Sequence, residues 1–334
     1  MTKRSASLYA AVAVAFVLVA GGTVSAQAPP ATGSAQAPPA TGSTQAPPAA
    51  GSAQDPPAAT PPAQAETSPV DEEDMSFQRA QPDFTLVNLP TTLRLPRYKS
   101  AFRVTHRFTR PLGQGSFTDS LADLFGIDSS AQIGLEFRFA PIRGGQLGFY
   151  RTNDKTIEFF GQYSVWRGSE DLPIAVAALA TIEGTNNFQD IYSPSLGISV
   201  SATLWDALAL YAVPIWVGNT NTLPAEEVED DNTFALGVGA RLRVMRGLYL
   251  VAEAWPRLAG YKGGTDGHED HDHGGLVGEG KVLASFAIEK QVGGHVFQLN
   301  FSNAWATTPA NIARGAASGQ TDWYLGFNIS RKFY

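Results

Sequence analysis

From Phe84 onward, apolar and polar residues alternate along the chain with a period of two. Within 196–204, Leu196, Ile198, Val200, Ala202 and Leu204 alternate with Gly197, Ser199, Ser201 and Thr203. Within 133–139, Ile133, Leu135, Phe137 and Phe139 alternate with Gly134, Glu136 and Arg138. Within 236–244, Leu236, Val238, Ala240, Leu242 and Val244 alternate with Gly237, Gly239, Arg241 and Arg243. Successive strand side chains point to opposite faces, so each run predicts a strand with one apolar face and one of small or charged residues. Helical periodicity is absent apart from a short turn near 121–125. Twelve strands are predicted, near 100–109, 131–140, 146–152, 155–167, 173–183, 195–204, 207–217, 233–244, 248–257, 281–289, 295–303 and 321–333.

The connections between these strands sort by parity. The first, fifth, seventh, ninth and eleventh are long, at 110–130, 184–194, 218–232, 258–280 and 304–320. The even-numbered ones are short, as at 205–206 and 245–247; the third, around Asn153-Asp154, breaks the alternation. A soluble sandwich has no reason to segregate loop lengths in this way. A barrel that crosses a membrane does, with tight turns and both termini on one side and long loops on the other. In hydrocarbon every backbone polar group must be bonded internally, so a sheet can span only by closing on itself. The expected fold is therefore all-β: a closed antiparallel transmembrane β-barrel of about twelve strands, apolar outside and polar within.

Composition sharpens this picture. Charged residues make up 16% of the 334-residue chain, well below the roughly 25% usual for soluble domains. A lipid-facing band explains that shortage without a helical span. The net charge of -7 gives no basic face for nucleic acid, and the absence of cysteine excludes disulfides, a thiolate metal site and a thiol nucleophile.

The N-terminal quarter reads differently. Lys3 and Arg4, an apolar run over 8–20 and Val24-Ser25-Ala26 predict a secretory signal at 1–26, too short to serve as a membrane anchor. Residues 27–83 are expected to be a disordered, Pro- and Ala-rich spacer. It begins with nonapeptides at 27–35, 36–44 and 45–53 and a degenerate fourth at 54–62. Paired prolines favour polyproline II, Gly-Ser keeps each unit loose, and an acidic patch, Asp71-Glu72-Glu73-Asp74, closes the tail. The barrel is expected to occupy 84–334, in the outer membrane of a Gram-negative-type bacterium with the tail in the periplasm.

The inward phase holds Arg103, Arg107, Glu136, Arg138, Glu158, Arg241, Arg243 and Glu253 as lumen-lining candidates. Charges of both signs across a lumen can brace a closed barrel or line a polar passage. His268, His271 and His273 alternate with three carboxylates over 268–273, a candidate divalent-metal site on the ninth connection. No other cofactor is implied. His106 shares a phase with Phe102, Val104 and Phe108, which would face lipid, and His295 starts a strand. No serine stands out as a partner for either, and no enzyme is expected.

The last strand places Trp323, Leu325, Phe327, Ile329 and Phe333 on one face, as a terminal signal for the barrel-assembly machinery would. Arg331 interrupts that face. All six tryptophans fall near strand ends, as in an aromatic girdle. Trp216, Trp305 and Trp323 are in the apolar phase, whereas Trp166, Trp205 and Trp255 are in the polar phase, lumenal or displaced by a slip of register.

Three stretches, 89–108 (LPTTLRLPRYKSAFRVTHRF), 141–168 (PIRGGQLGFYRTNDKTIEFFGQYSVWRG) and 286–303 (FAIEKQVGGHVFQLNFSN), resemble an uncharacterised family of bacterial outer-membrane β-barrel proteins, a domain of unknown function. The resemblance spans most of 84–334 and none of the repeats. It implies an outer-membrane barrel and no particular substrate or catalytic residue.

Three roles are compatible with these features. The first is passive passage or binding of small polar solutes through a charged lumen. The second is a closed structural barrel that anchors its periplasmic tail to cell-wall or periplasmic partners. The third is a secreted, soluble β protein that binds a ligand. The expected surroundings are outer-membrane lipid and the assembly machinery, with no nucleic acid.

Overall fold

The computed structural model describes residues 80–122, 124–127, 130–169, 172–221, 231–261, 282–315 and 322–333. Strand-forming alternation becomes thirteen strands: β1 (Ser100–Phe108), β2 (Ala131–Ile142), β3 (Gly145–Thr152), β4 (Ile157–Trp166), β5 (Ile174–Gly184), β6 (Asp190–Leu204), β7 (Leu208–Val217), β8 (Thr233–Met245), β9 (Leu248–Trp255), β10 (Arg257–Gly260), β11 (Leu283–Val292), β12 (His295–Ser302) and β13 (Tyr324–Phe333). Each pairs antiparallel with its neighbours, and β13 returns to β1 in a register running from Ser100↔Phe333 to Arg107↔Gly326. β9 bridges β8 and β11, so the sheet closes. The four-residue β10 continues β9 beyond Pro256 and pairs with β8, leaving twelve staves. These are the twelve strands predicted from the alternation.

Closure leaves one face outside and one inside. On β2, Ile133, Leu135, Phe137 and Phe139 are exposed on the outer wall, while Gln132, Glu136 and Arg138 are buried within. The same division runs along β11, where Phe286 and Ile288 face outward and Ser285 and Glu289 inward. A water-soluble barrel would hide the former set and expose the latter; this inversion suits a hydrocarbon surround.

All connections of one parity gather at one rim, here called the turn rim, where β1 begins and β13 ends. At its β6–β7 hairpin, Trp205 and Asp206 both adopt left-handed φ, 52° and 54°, as a two-residue primed turn requires. The opposite, loop rim carries 109–130, with a short helix α1 (Phe117–Ala122) and a 3-10 turn (Leu124–Gly126) where a turn near 121–125 is predicted. The fifth connection is shorter than the predicted 184–194. Pairing of β5 with β6 continues to Gly184↔Tyr192, and Asn186, Asn187 and Phe188 close the hairpin in left-handed conformation.

Of the polar-phase tryptophans, Trp255 is buried in the lumen. A register shift between Ser164 and Trp166 turns Trp166 outward, and Trp205 projects from its turn. Trp216 lies outside at the loop rim, and Trp323 packs at a tilt against outward Phe286, with ring centroids 5.4 Å apart. His106 faces outward without any bulge, stacked 4.8 Å from Phe327, while His295 stacks on Phe297 at the turn rim. The spacer repeats and the histidine-rich stretch of the ninth connection lie outside the described residues.

Candidate functional site

The lumen of the barrel is filled by the chain's own 80–95. These residues enter and leave at the turn rim, where Gln81, Thr92 and Arg94 line a crevice with Arg167 and Thr203. Between those ends the segment forms a hairpin. Thr85 bridges Pro90, the Thr91 N–H donates to the Phe84 carbonyl (2.8 Å), and the Leu86 N–H donates to the Leu89 carbonyl (2.8 Å). Leu86, Val87 and Leu89 at the tip are completely buried. Ala80, Gln81 and Asp83, at the end of the stretch read as spacer, are buried here as well.

A buried hairpin without sheet partners must find other acceptors and donors for its backbone. The wall supplies them. The Glu253 carboxylate accepts the N–H groups of Val87 (3.0 Å), Asn88 (3.0 Å) and Leu89 (2.9 Å). Arg241 donates to the Thr85 carbonyl (2.6 Å), Gln298 to the Leu86 carbonyl (3.0 Å) and Asn328 to the Val87 carbonyl (3.1 Å). Inward glycines make room for the tip: a Cβ on Gly237 would lie 2.2 Å from Leu89 Cδ1, and one on Gly239 2.3 Å from Leu86 Cδ1. The small residues of the polar face thus seat a piece of the protein itself.

The eight lumen-lining candidates fall into distinct arrangements. Glu136 joins Arg103 (2.7 Å) and Arg138 (2.9 Å), and Arg103 also bonds Thr85 of the hairpin. The Arg138 guanidinium lies 4.8 Å from the Phe84 ring and 4.6 Å from Phe160. Arg107 spans Asn328 (2.8 Å) on the wall and Asn88 (3.2 Å) on the hairpin. Arg241 forms a two-point pair with Glu289 (2.8 and 2.9 Å) and Glu253 holds the tip. Arg243 is half-buried near the turn rim, apart from these networks. Glu158 stands opposite Glu183 in the β4–β5 register, and the two candidate carboxylates Glu136 and Glu158 border one cavity.

Sequence reading missed several wall residues: Glu183, Glu289, Gln146, Gln162, Gln298, Asn300, Asn328 and Lys332 are all buried on the inner face. Their phase relative to neighbouring apolar residues was the available signal. It also missed a second occupant, which descends from the loop rim. The eleventh connection folds inward over 304–313, with helix α2 (Pro309–Ala313) capped by Thr308, whose hydroxyl accepts the Asn311 N–H (3.2 Å). Glu183 clamps this loop through Thr308 and Arg314 (2.6 Å), and Arg314 reaches Ser193 (2.5 Å). Between hairpin and loop remains a cavity of about 40 Å³ bordered by Asn88, Arg103, Glu136, Tyr150, Glu158 and Thr307. That is room for water, not for a solute.

The metal-site residues His268, His271 and His273 lie outside the described residues. The terminal-strand residues Leu325, Phe327, Ile329 and Phe333 all point outward, as does Arg331, which lies over the Phe333 ring at 5.1 Å.

A closed twelve-stave barrel, apolar outside and polar within, defines an outer-membrane-type β-barrel. The chain belongs to the family described as "Membrane bound beta barrel domain (DUF5777)", which matches residues 83–333. This excludes the soluble secreted reading and agrees with the family resemblance seen in the sequence. No curated protein matches the chain. Among solved structures, the chain is similar to the KdgM porin (7% identity, 71% of this chain and 99% of that one, TM-score 0.43). Similar values relate it to the NanC porin (6% identity, 70% and 100%, TM-score 0.44). The COG4313 outer membrane channel from Pseudomonas putida F1 is 11% identical over 72% and 97% of the two chains, with a TM-score of 0.42.

Proposed function

We propose that the protein is an outer-membrane barrel for small polar solutes, seen in its closed state, with the turn rim and tail on the periplasmic side. The observation that carries this reading is the way the lumen is filled. Its wall is lined with Arg, Glu, Gln and Asn, and the hairpin 80–95 lies against them through hydrogen bonds, inserted from one rim with both limbs at that rim. Arg241–Glu289 and Glu136 with Arg103 and Arg138 brace the wall directly, but Glu253, Gln298 and Asn328 direct hydrogen bonds to the hairpin backbone. A polar wall covered by a re-entrant segment suits a passage that the segment closes, and withdrawal would expose Arg103, Arg107, Arg241 and Glu253 to solute.

The proposed role is non-enzymatic: His106 and His295 both stack on outward phenylalanines, away from the lumenal serines. The test is solute flux into proteoliposomes carrying a variant that lacks 80–92. The variant should admit sugars and amino acids while the full chain admits far less. A deletion variant that folds, as judged by heat-modifiable migration, yet passes nothing would instead favour the structural barrel that anchors its tail.

A further inference from the structure

The two rims differ in charge, and the turn rim is strongly basic. At the turn rim, Arg97 and Lys99 precede β1, Arg143 and Arg246 occupy the β2–β3 and β8–β9 turns, and Lys290 and Arg331 lie on the outer face two residues before their strands end. All six are exposed or half-exposed. Among the described residues, Asp206 is the exposed acid at that rim. At the loop rim the described charges are mixed: Asp119, Asp154, Asp190 and Asp231 are exposed there with Arg151 and Lys155, beside half-buried Arg110.

The basic residues adjoin the lipid-facing wall directly. Lys290 follows outward Ile288 and pairs in register with Phe297, and Arg331 lies over outward Phe333. Arg97 stacks at 4.3 Å over exposed Tyr98, and Trp166 and Trp205 mark the same level, 52% and 76% exposed. Tryptophan and tyrosine settle where hydrocarbon meets headgroups, and long basic side chains beside them extend their charge into the headgroup layer. Guanidinium groups match phosphate oxygens in geometry as well as charge.

We infer that the turn rim is a docking collar for anionic phospholipid headgroups of the leaflet it faces. The occupant follows from charge complementarity and from continuity with the apolar wall. The inference rests on the membrane-bound barrel, not on solute passage. A collar of this kind fixes the barrel's depth in the membrane.

The test uses the full chain in liposomes of phosphatidylcholine mixed with phosphatidylglycerol, one lipid brominated high on its acyl chain so that it quenches nearby tryptophan. The wild type should favour phosphatidylglycerol by on the order of tenfold, and 0.5 M salt should weaken this, as expected for surface cations near an anionic leaflet. R97Q/R246Q/K290Q/R331Q should lose most of the preference, whereas K290R/R331K and the loop-rim variant R151Q/K155Q should keep it. Equal affinity of the wild type for the two lipids would overturn the inference, as would an undiminished preference in the fourfold variant. Should that variant not fold, the wild-type preference and its salt dependence decide the question alone.

Discussion

Glu253 concentrates more of the lumen's organisation than any other candidate side chain, because one carboxylate serves three consecutive N–H groups of the hairpin tip. Hydrogen bonds to a charged acceptor contribute roughly 1.5–3 kcal/mol each. An amide in its place keeps one carbonyl acceptor but turns an N–H₂ toward donors. Glu253→Gln should therefore weaken tip docking by about 2 kcal/mol, read as roughly thirtyfold faster hydrogen exchange at Val87, Asn88 and Leu89. Glu289 plays a different part, since it is the counter-charge of a fully buried Arg241. Glu289→Gln should cost about 3–5 kcal/mol, seen as a lower melting temperature in detergent, because an unpaired buried guanidinium remains. At this scale the sequence was half legible. Period-two phase is enough to place Arg241 and Glu253 inside, but their partners sit 48 and more than 160 residues away. Spacing along the chain carries no trace of such pairs.

Strands were the most legible elements, because alternation is written locally and a one-residue slip would put charges in lipid. The exceptions have local causes. The shift after Ser164 reversed the phase of Trp166, and three left-handed residues in sequence shortened the fifth connection. The hairpin 80–95 was not legible at all. It lacks an alternating partner strand, Pro82 and Pro90 interrupt it, and most of its backbone bonds go to distant side chains. The outer face can be tested at one site. Leu135 lies mid-strand on β2, exposed next to buried Glu136. Leu135→Arg should cost about 2–4 kcal/mol in a bilayer and lower the heat-modifiable, folded fraction on gels.

Across the described residues, the low charged fraction resolves into three environments: a lipid-facing band, an interior of paired charges, and a basic turn rim. The central claim is that withdrawal of the hairpin opens a path past the second occupant, the inward-folded 304–313. The chain has no cysteine, so an engineered pair will be unambiguous. A Cβ at Gly237 would sit 2.2 Å from Leu89 Cδ1, which brings residues 89 and 237 within the reach of a disulfide, with its Cβ separation of roughly 3.5–4.5 Å. The most direct measurement is single-channel current through L89C/G237C in an E253Q background, recorded before and after reductant in the same planar bilayer. Oxidised, the tethered barrel should be silent; reduced, it should conduct. Equal conductance in both states, or none in either, would contradict a lumen gated by its own N-terminal hairpin.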